Sequence, residues 1–224
     1  MMLLPSRGRP EQLRRFFEQS RPAYKGVVLL DEDDIKNYFD VRLPNNWTTI
    51  IAPRVSLTRL FNRAFEQYPD EPFYGLLGDD IVCKPQGWDH DLAAAAGQHD
   101  IAYGDDGING RQLCCFPFLG GELVRATGWL QHPALGHLYG DSVWFEIGRR
   151  LKLLRYRPTV ETRHFHWSLG LQEKDATARE RQIEGDIAAF NTIMSTEMDA
   201  IVERVRARIS PPSSAGELAC QNAP

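Results

Sequence analysis

Residues 73–83 read Phe-Tyr-Gly-Leu-Leu-Gly-Asp-Asp-Ile-Val-Cys, an apolar run that two carboxylates interrupt before it resumes. This pattern predicts a buried strand that breaks into a sharp turn, with Asp79 and Asp80 at its carboxyl end. Ligands of open α/β sheets bind at that end of the strands, and a divalent cation that bridges to phosphate oxygens needs oxygen ligands there. A polar turn without a ligand explains the same residues, because Gly and Asp favour turns. The stretch therefore predicts a core strand and a candidate site, with both explanations open.

The composition indicates a single α/β domain of ordinary size. The chain has 224 residues, of which 42% are hydrophobic, enough for one substantial core. The 26 basic and 30 acidic side chains give a net charge of −4, so only a local patch could attract nucleic acid. No run of about 18 apolar residues exists, and we expect a cytoplasmic protein. The four cysteines form no Cys-x-x-Cys pair, which argues against a structural zinc site.

The first residues predict a strand, a basic turn and a helix. Leu3-Leu4 leads into Pro5-Ser6-Arg7-Gly8-Arg9-Pro10, and Pro10 suits the first turn of a helix. Two arginines and the backbone N–H groups of a helix start are typical of an anion site, although such arginines are more often solvated. A second apolar run, residues 26–30, ends in acids at positions 31–34 and brings them to the same edge of the sheet.

The rest of the chain alternates strand and helix patterns. Ser56 is expected to cap a helix over 57–68, and residues 88–96 and 143–151 also have helical patterns. Residues 116–122 contain Pro117 and a Gly pair, which indicates an edge strand or a bend. We therefore expect an α/β fold with a mostly parallel twisted sheet and helices on both faces. The first turn lacks a G-x-G-x-x-G motif, which disfavours a dinucleotide-binding fold.

The C-terminal part predicts a long amphipathic helix, or two shorter ones, over residues 174–209. Its apolar residues recur at steps of three and four, so the helix is expected to pack on the domain, with room for a homo-oligomer surface. Residues 211–216 contain Pro, Ser and Gly and end the helix. We expect three segments: a catalytic domain over 1–170, a helical extension over 171–209 and a disordered tail over 210–224.

Taken in chain order, these motifs resemble the nucleotide-sugar-dependent glycosyltransferases of GT-A fold, of the family-2 type. The resemblance covers about residues 1–170. It is carried by seven short segments: 5–10, 31–33, 56–62, 78–80, 118–121, 140–141 and 164–166. The resemblance implies transfer of a sugar from a nucleotide diphosphate sugar to an acceptor hydroxyl, with Mn²⁺ or Mg²⁺ as cofactor.

The resemblance also implies metal and catalytic residues. The Asp-x-Asp motif of the family falls on Gly78-Asp79-Asp80, so Asp80 would bind the metal and Asp79 would face the ribose or the sugar. Gly78 replaces the first acid of the motif. A histidine late in the domain often completes the metal site, and we favour His166 over His164 for that role. Asp141, which follows Gly140 in place of the family's Glu, would be the catalytic base of an inverting enzyme.

The remaining implied site residues would contact the nucleotide sugar. They are Pro5, Ser6, Arg7, Arg9, Asp31, Asp33, Asn62, Gly120 and Gly121. Pro5 to Arg7 and one of the acids at 31 and 33 would hold the base and the ribose. Asn62 would support the nucleotide loop, and the Gly pair would let backbone approach the donor sugar.

The acceptor is the least constrained part of the function. Basic residues between Arg149 and Arg163 form a cluster that could hold DNA with hydroxylated bases, although such a run is more often a solvated helix face. A saccharide acceptor is the other option. Two different classes of function also remain open: a nucleotidyltransferase of similar α/β fold, and a non-catalytic module that binds nucleotide sugars.

Overall fold

One eight-stranded sheet organises the computed structural model, which describes residues 1–165 and 183–209. The strands are β1 (Met2–Pro5), β2 (Gly26–Asp31), β3 (Trp47–Ala52), β4 (Phe73–Leu76), β5 (Ile81–Lys84), β6 (Ile101–Asp105), β7 (Phe118–Gly120) and β8 (Leu154–His164). Their spatial order is β3-β2-β1-β4-β7-β6-β8-β5. β4 is the predicted strand of the opening stretch, and the turn that follows it carries the two predicted acids.

Helices cover both faces of this sheet. They are α1 (Pro10–Ser20), α2 (Leu57–Gln67), α3 (Trp88–Ala96), α4 (Gly121–Thr127), α5 (Gly140–Leu151), α6 (Ile183–Thr192) and α7 (Met198–Ile209), with a π-helical turn (Ile193–Glu197) between the last two. Pro10 is the first residue of α1, and the Ser56 hydroxyl accepts a hydrogen bond from the Arg59 backbone N–H at the start of α2. The α/β class with helices on both faces is confirmed.

The sheet is parallel on one side and mixed on the other. The neighbours β3, β2, β1 and β4 all run parallel, so their carboxyl ends meet at one edge. β7 pairs antiparallel with both β4 and β6, and β5 pairs antiparallel with β8. The expectation of a mostly parallel sheet therefore holds for the half that contains the N-terminal strands.

β7 corrects the prediction for residues 116–122, because Phe118–Gly120 in this segment form a central strand and not an edge strand. Pro117 precedes the strand, so its missing N–H removes no hydrogen bond within β7. Its carbonyl still joins β4, because it accepts a hydrogen bond from the Leu76 N–H at 2.9 Å. Gly120, at the end of β7, allows close packing of a neighbouring backbone. A Cβ at Gly120 would lie 2.2 Å from the carbonyl carbon of Gln98.

Two hydrophobic cores lie on the two faces of the sheet. Successive strand residues point to opposite faces, so Leu4 packs with α1 and α3 through Phe16 and Trp88. Leu3 points the other way and belongs to the larger core, which includes Trp144 of α5. Both faces of the central strands are therefore dry, as the long apolar runs of the sequence predict.

The C-terminal helices belong to the larger core. Met198, Ile201 and Val205 of the predicted apolar stripe are buried in it, as is Ile193. Ile183 and Ile187, which the sequence pattern also places in the stripe, are exposed, so the prediction is wrong for the start of α6. The predicted helix residues before Ile183 and the predicted tail after Ile209 lie outside the described residues. Within the described ranges, no helix is both long and apolar enough to cross a membrane.

Candidate active site

A cleft of about 250 Å³ opens at the carboxyl edge of the parallel strands. It is lined by Pro5, Ser6, Arg7, Arg9, Asp31, Val55, Leu57, Leu60, Leu77, Gly78, Asp79, Asp80, Phe116, His137 and His164. Seven of the predicted site residues therefore share one cleft, from the turns that follow β1, β2 and β4. The other lining residues come from the turn after β4, the start of α2, the loops before β7 and α5, and the end of β8.

The acid pair forms the floor of the cleft. Asp79 accepts hydrogen bonds from the Ser6 hydroxyl at 2.7 Å and from the Arg9 guanidinium at 3.1 Å. Asp80 lies 3.5 Å from the same guanidinium and 3.4 Å from His164 Nε2. Both carboxylates are nearly inaccessible to solvent, so each depends on these partners for its charge.

Burial and the partner groups separate the pKa values of the two acids. Burial and the negative charge of Asp80 raise the pKa of Asp79 to about 7, against the opposing effect of Arg9. Burial also acts to raise the pKa of Asp80, but the His164 imidazole and then the Arg9 guanidinium outweigh it and lower that pKa. Asp80 is therefore the carboxylate that keeps its negative charge, as a cation ligand requires.

His164 reaches the cleft because β8 pairs antiparallel with β5. Ile81, directly after the acid pair, lies opposite His164 in this pairing, and the Phe165 N–H donates to the Asp80 carbonyl at 2.8 Å. The edge of the imidazole also contacts the Phe116 ring at a centroid distance of 5.1 Å. Of the two predicted histidines, His164 is thus next to Asp80, whereas His166 lies outside the described residues.

The N-terminal turn differs from the predicted anion site. The Gly8 N–H donates to Asp34 and the Arg9 N–H donates to the Tyr38 hydroxyl, so these two backbone groups are already used inside the protein. The Tyr38 hydroxyl also lies 2.9 Å from the Ser6 hydroxyl. The turn is therefore rigid, and the positive charge available at the cleft comes from arginine side chains.

Arg7 connects the N-terminal turn to the acids after β2. Its guanidinium donates to Asp31 at 2.8 Å and to Asp33 at 2.7 Å, and the hydrogen bonds to Asp33 and then Asp31 raise the pKa of Arg7. Asp33 is exposed, whereas burial raises the pKa of Asp31. Asp31 Oδ1 is buried and has no hydrogen-bond partner within the described part of the chain. A buried acceptor of this kind normally has a partner, so this oxygen is a candidate ligand contact.

Three predicted contacts with the nucleotide sugar lie away from the cleft. Asn62, in the middle of α2, binds the backbone of residues 130 and 131 through its amide group and holds that loop. Gly120 is opposite Phe73, at the amino end of β4, whereas the cleft is at the carboxyl end. A Cβ at Gly121 would lie 2.1 Å from the Glu71 carbonyl oxygen. Close backbone packing therefore explains the Gly pair, which corrects its predicted place beside the sugar.

Asp141 lies in the first turn of α5, next to the cleft but not in its lining. Its carboxylate accepts a hydrogen bond from the Ser142 N–H at 2.8 Å, and Oδ2 lies 3.7 Å from the Cys115 sulfur. The residue after Cys115 is Phe116, which lines the cleft. Burial raises the pKa of Asp141, against the opposing effect of the Ser142 N–H. Glycine at position 140 lets the Gln131 side chain pack against the start of α5, since a Cβ there would lie 1.6 Å from the Gln131 side-chain oxygen.

Several cleft residues escaped the sequence analysis. Phe116 and His137 line the cleft from loops without a regular pattern. Tyr38, in a 3₁₀ turn (Ile35–Tyr38), is not in the lining but contacts Ser6 and Arg9, which are. The apolar wall of the cleft is formed by Val55, Leu57, Leu60 and Leu77. An apolar side chain at a loop or helix start carries no sequence signal that separates a cleft wall from ordinary core.

The predicted basic cluster is largely neutralised by neighbouring acids. The pairs are Arg149 and Arg150 with Glu146, Arg150 with Asp199, Arg155 with Asp100 at 3.0 Å, and Arg157 with Asp91 at 2.7 Å. Four of the five arginines of this cluster thus have a carboxylate partner. These ion pairs remove most of the positive field on which the DNA hypothesis depends.

Comparison with known proteins identifies the fold. No protein-family model matches the sequence, and no curated protein matches it. The structure is similar to the mannosyltransferase PcManGT from Pyrobaculum calidifontis, solved in complex with GDP-Man and Mn²⁺. That likeness has a TM-score of 0.53 and 10% sequence identity and covers 97% of this chain and 75% of the other.

A second similar structure is a nucleotidyl transferase from Methanothermobacter thermautotroptrophicus. It has a TM-score of 0.49 and 11% identity and covers 85% of this chain and 97% of the other, a likeness too distant to add to the argument. The order of strands, the cleft at the parallel edge and the likeness to the mannosyltransferase agree with one another. The chain therefore has a GT-A-like α/β fold, similar to that of this mannosyltransferase.

Proposed function

We propose that this protein transfers a sugar from a nucleotide diphosphate sugar to an acceptor hydroxyl. The observation that carries the proposal is the pairing of Asp80 and His164 at 3.4 Å in a cleft that also contains the turn after β1. A carboxylate and an imidazole at this spacing, beside two arginines, suit a diphosphate held through a divalent cation. The mannosyltransferase of similar fold was solved with GDP-Man and Mn²⁺, which supports the same class of donor.

The nucleoside is assigned to the ends of β1 and β2. Pro5, Ser6 and Asp31 line this part of the cleft. The unpartnered Asp31 Oδ1 would accept a hydrogen bond from an N–H group of the base or from a ribose hydroxyl, which would remove the cost of leaving a buried acceptor unsatisfied. Arg7 fixes the orientation of Asp31 and leaves that second oxygen open.

A divalent cation would be held by Asp80 and His164. No group of three or more His, Cys, Asp or Glu side chains in the described ranges is arranged to hold a metal alone. Two protein ligands fit Mn²⁺ or Mg²⁺, which completes its shell with phosphate oxygens and water. When bound, the cation would neutralise the diphosphate that leaves. Asp79, with both oxygens bonded to Ser6 and Arg9, is assigned to holding the turn.

Asp141 is assigned as the base that accepts the acceptor's proton. In the transfer step the acceptor oxygen forms a bond to the anomeric carbon, and the bond from that carbon to the diphosphate oxygen breaks with its electron pair. The proton of the hydroxyl passes to the Asp141 carboxylate. Its raised pKa favours proton acceptance, and its contact with Cys115 places it beside the cleft wall at Phe116.

The experiment that tests this function is an incubation with a panel of nucleotide diphosphate sugars, Mn²⁺ and candidate saccharide acceptors. Release of nucleoside diphosphate together with a glycosylated acceptor is expected. Asp80→Asn should lose Mn²⁺-dependent donor binding in calorimetry. Glu18→Gln, at an exposed position of α1, should bind like the wild type. Release of pyrophosphate from a nucleoside triphosphate would identify a nucleotidyltransferase instead. Donor binding without turnover on any acceptor would indicate a binding module.

A further inference from the structure

The loop before α5 has a conformation that its own sequence does not favour. This loop, residues 128–139, brings His137 into the cleft and ends at the turn that carries Asp141. Tyr139 has a φ of 67°, in the left-handed region that non-glycine residues rarely adopt. Such strain persists only where neighbouring structure fixes it. The source of this constraint lies in α6, a helix that contributes nothing to the lining of the cleft.

Asp186 of α6 binds three successive backbone N–H groups of this loop. Its carboxylate accepts from Gly136 at 2.5 Å, from His137 at 2.9 Å and from Leu138 at 2.8 Å. The side chain is buried, with 3% of its surface exposed, so these three bonds replace the water that a carboxylate otherwise needs. A Cβ at Gly136 would lie 3.1 Å from Asp186 Oδ1, so glycine permits the close approach.

A second contact from α6 holds the strained residue itself. The ring of Phe190 stacks on the ring of Tyr139 at a centroid distance of 4.7 Å and an angle of 19°. On the other side, the Gly136 carbonyl accepts a hydrogen bond from the Thr58 N–H at the start of α2. The loop is therefore held between α2, which lines the cleft, and α6, which does not.

We propose that α6 is a positioning element of the active site, acting through Asp186 and Phe190 on His137 and Asp141. The proposal rests on the proposed function for the role of Asp141, but the contacts do not. Without the Asp186 carboxylate, three buried or half-buried N–H groups would lose their acceptor at once. Tyr139 would then be free to leave its left-handed conformation, and the first turn of α5 would shift with it. A misplacement of about 1 Å at a catalytic group reduces turnover by about 100-fold.

Hydrogen–deuterium exchange tests the structural half of this proposal. In Asp186→Ala, faster exchange is expected at residues 136–138 and also at residues 139–142, which include the first turn of α5. Asp199→Ala is the matched control, because this exposed carboxylate of α7 pairs with Arg150 and does not touch the loop. Faster exchange confined to residues 136–138 would overturn the proposal, because it would show that the contacts of Asp186 with the loop do not reach Asp141.

Steady-state kinetics test the functional half, at a temperature below the unfolding transition of every variant. Asp186→Ala should lower kcat by about 10- to 100-fold and change the donor KM by less than about threefold, since the contacts of Pro5 to Arg9 and Asp31 remain. Phe190→Ala should act in the same direction, and Phe190→Tyr, which keeps the ring, should restore the wild-type rate. Should Asp186→Ala fail to fold, Asp186→Asn and Phe190→Ala carry the test.

A wild-type kcat in folded variants would reject the positioning role and leave the proposed function standing. A wild type inactive on every donor would reject the proposed function. The exchange data alone would then show whether α6 holds the loop and the first turn of α5.

Discussion

Gly78 and Asp80 are in such close contact that position 78 has no room for a side chain. A Cβ on Gly78 would lie 2.8 Å from Asp80 Oδ1 and 3.0 Å from the Phe116 ring. Both distances are shorter than van der Waals contact. Glycine at position 78 therefore leaves Asp80 the space in which it turns toward His164.

This contact predicts that an acid at position 78, as in the Asp-x-Asp motif of the glycosyltransferases that the sequence resembles, weakens donor binding. Gly78→Asp should lower Mn²⁺-dependent donor affinity by about tenfold or more, because the new side chain displaces Asp80 or Phe116 and adds a third carboxylate near Asp79. Gly78→Ala should show a smaller loss in the same direction. Calorimetry with donor and Mn²⁺ checks both variants. Tighter binding by Gly78→Asp would mean that the cleft accommodates a two-carboxylate metal site.

Asp141→Asn should separate chemistry from donor binding. The amide cannot accept the proton, so kcat should fall by about 100-fold or more, while donor affinity should stay within about twofold of the wild type. Ser142→Ala is the control, because it keeps the backbone N–H that binds Asp141 at 2.8 Å and removes only the longer hydroxyl contact at 3.4 Å. In the wild type, kcat/KM should rise with pH through a value above the ordinary carboxyl pKa, since burial raises the pKa of Asp141. Unchanged turnover in Asp141→Asn would remove its assignment as base.

The pKa of Asp79 predicts how stability depends on pH. The folded chain keeps the Asp79 proton up to about pH 7, whereas the unfolded chain releases it near pH 4. The folded state thus binds more protons between these values, so the free energy of unfolding falls as pH rises through this window. Asp79→Asn cannot ionise and should lack this fall. Between pH 5 and pH 8 its unfolding free energy should gain about 1 to 3 kcal/mol relative to the wild type.

Urea unfolding at the two pH values measures this difference. Asp70→Asn is the control, because Asp70 is exposed after α2 and its replacement should change stability equally at both pH values. A wild type and an Asp79→Asn variant with parallel pH profiles would show that Asp79 is ionised throughout.

The sequence predicts those parts of the site that lie at the ends of regular elements. The runs that end at Pro5, Asp31 and Asp80 are strands because apolar residues must be buried, and parallel pairing then brings their ends to one edge. Ser56 and Pro10 mark helix starts through local chemistry, which is why those boundaries could be predicted. These features need no knowledge of distant contacts.

The unpredicted parts depend on contacts between residues far apart in the chain. His137 enters the cleft because Asp186, 49 residues later, binds its N–H group. The positive charge of the basic cluster is offset by ion pairs with Asp91, Asp100 and Asp199, none of which lies within the cluster. Gly120 shows the same limit, since a Gly pair has one appearance in sequence whether backbone or ligand approaches it.

Gly120→Ala provides a last prediction, because it distinguishes packing from donor binding. A Cβ at this position would lie 2.2 Å from the Gln98 backbone, which cannot move as a flexible side chain can. The variant should therefore lose about 1 to 3 kcal/mol of stability or more, as measured by urea unfolding. Gly185→Ala in α6 is the matched control, because nothing lies within 4 Å of its Cβ position and alanine favours a helix by about 0.5 to 1 kcal/mol. The folded Gly120→Ala variant should bind donor with wild-type affinity, since Gly120 of β7 lies opposite Phe73, at the end of β4 that is remote from the cleft. A loss of donor affinity without a loss of stability would return Gly120 to the sugar site that the sequence suggested.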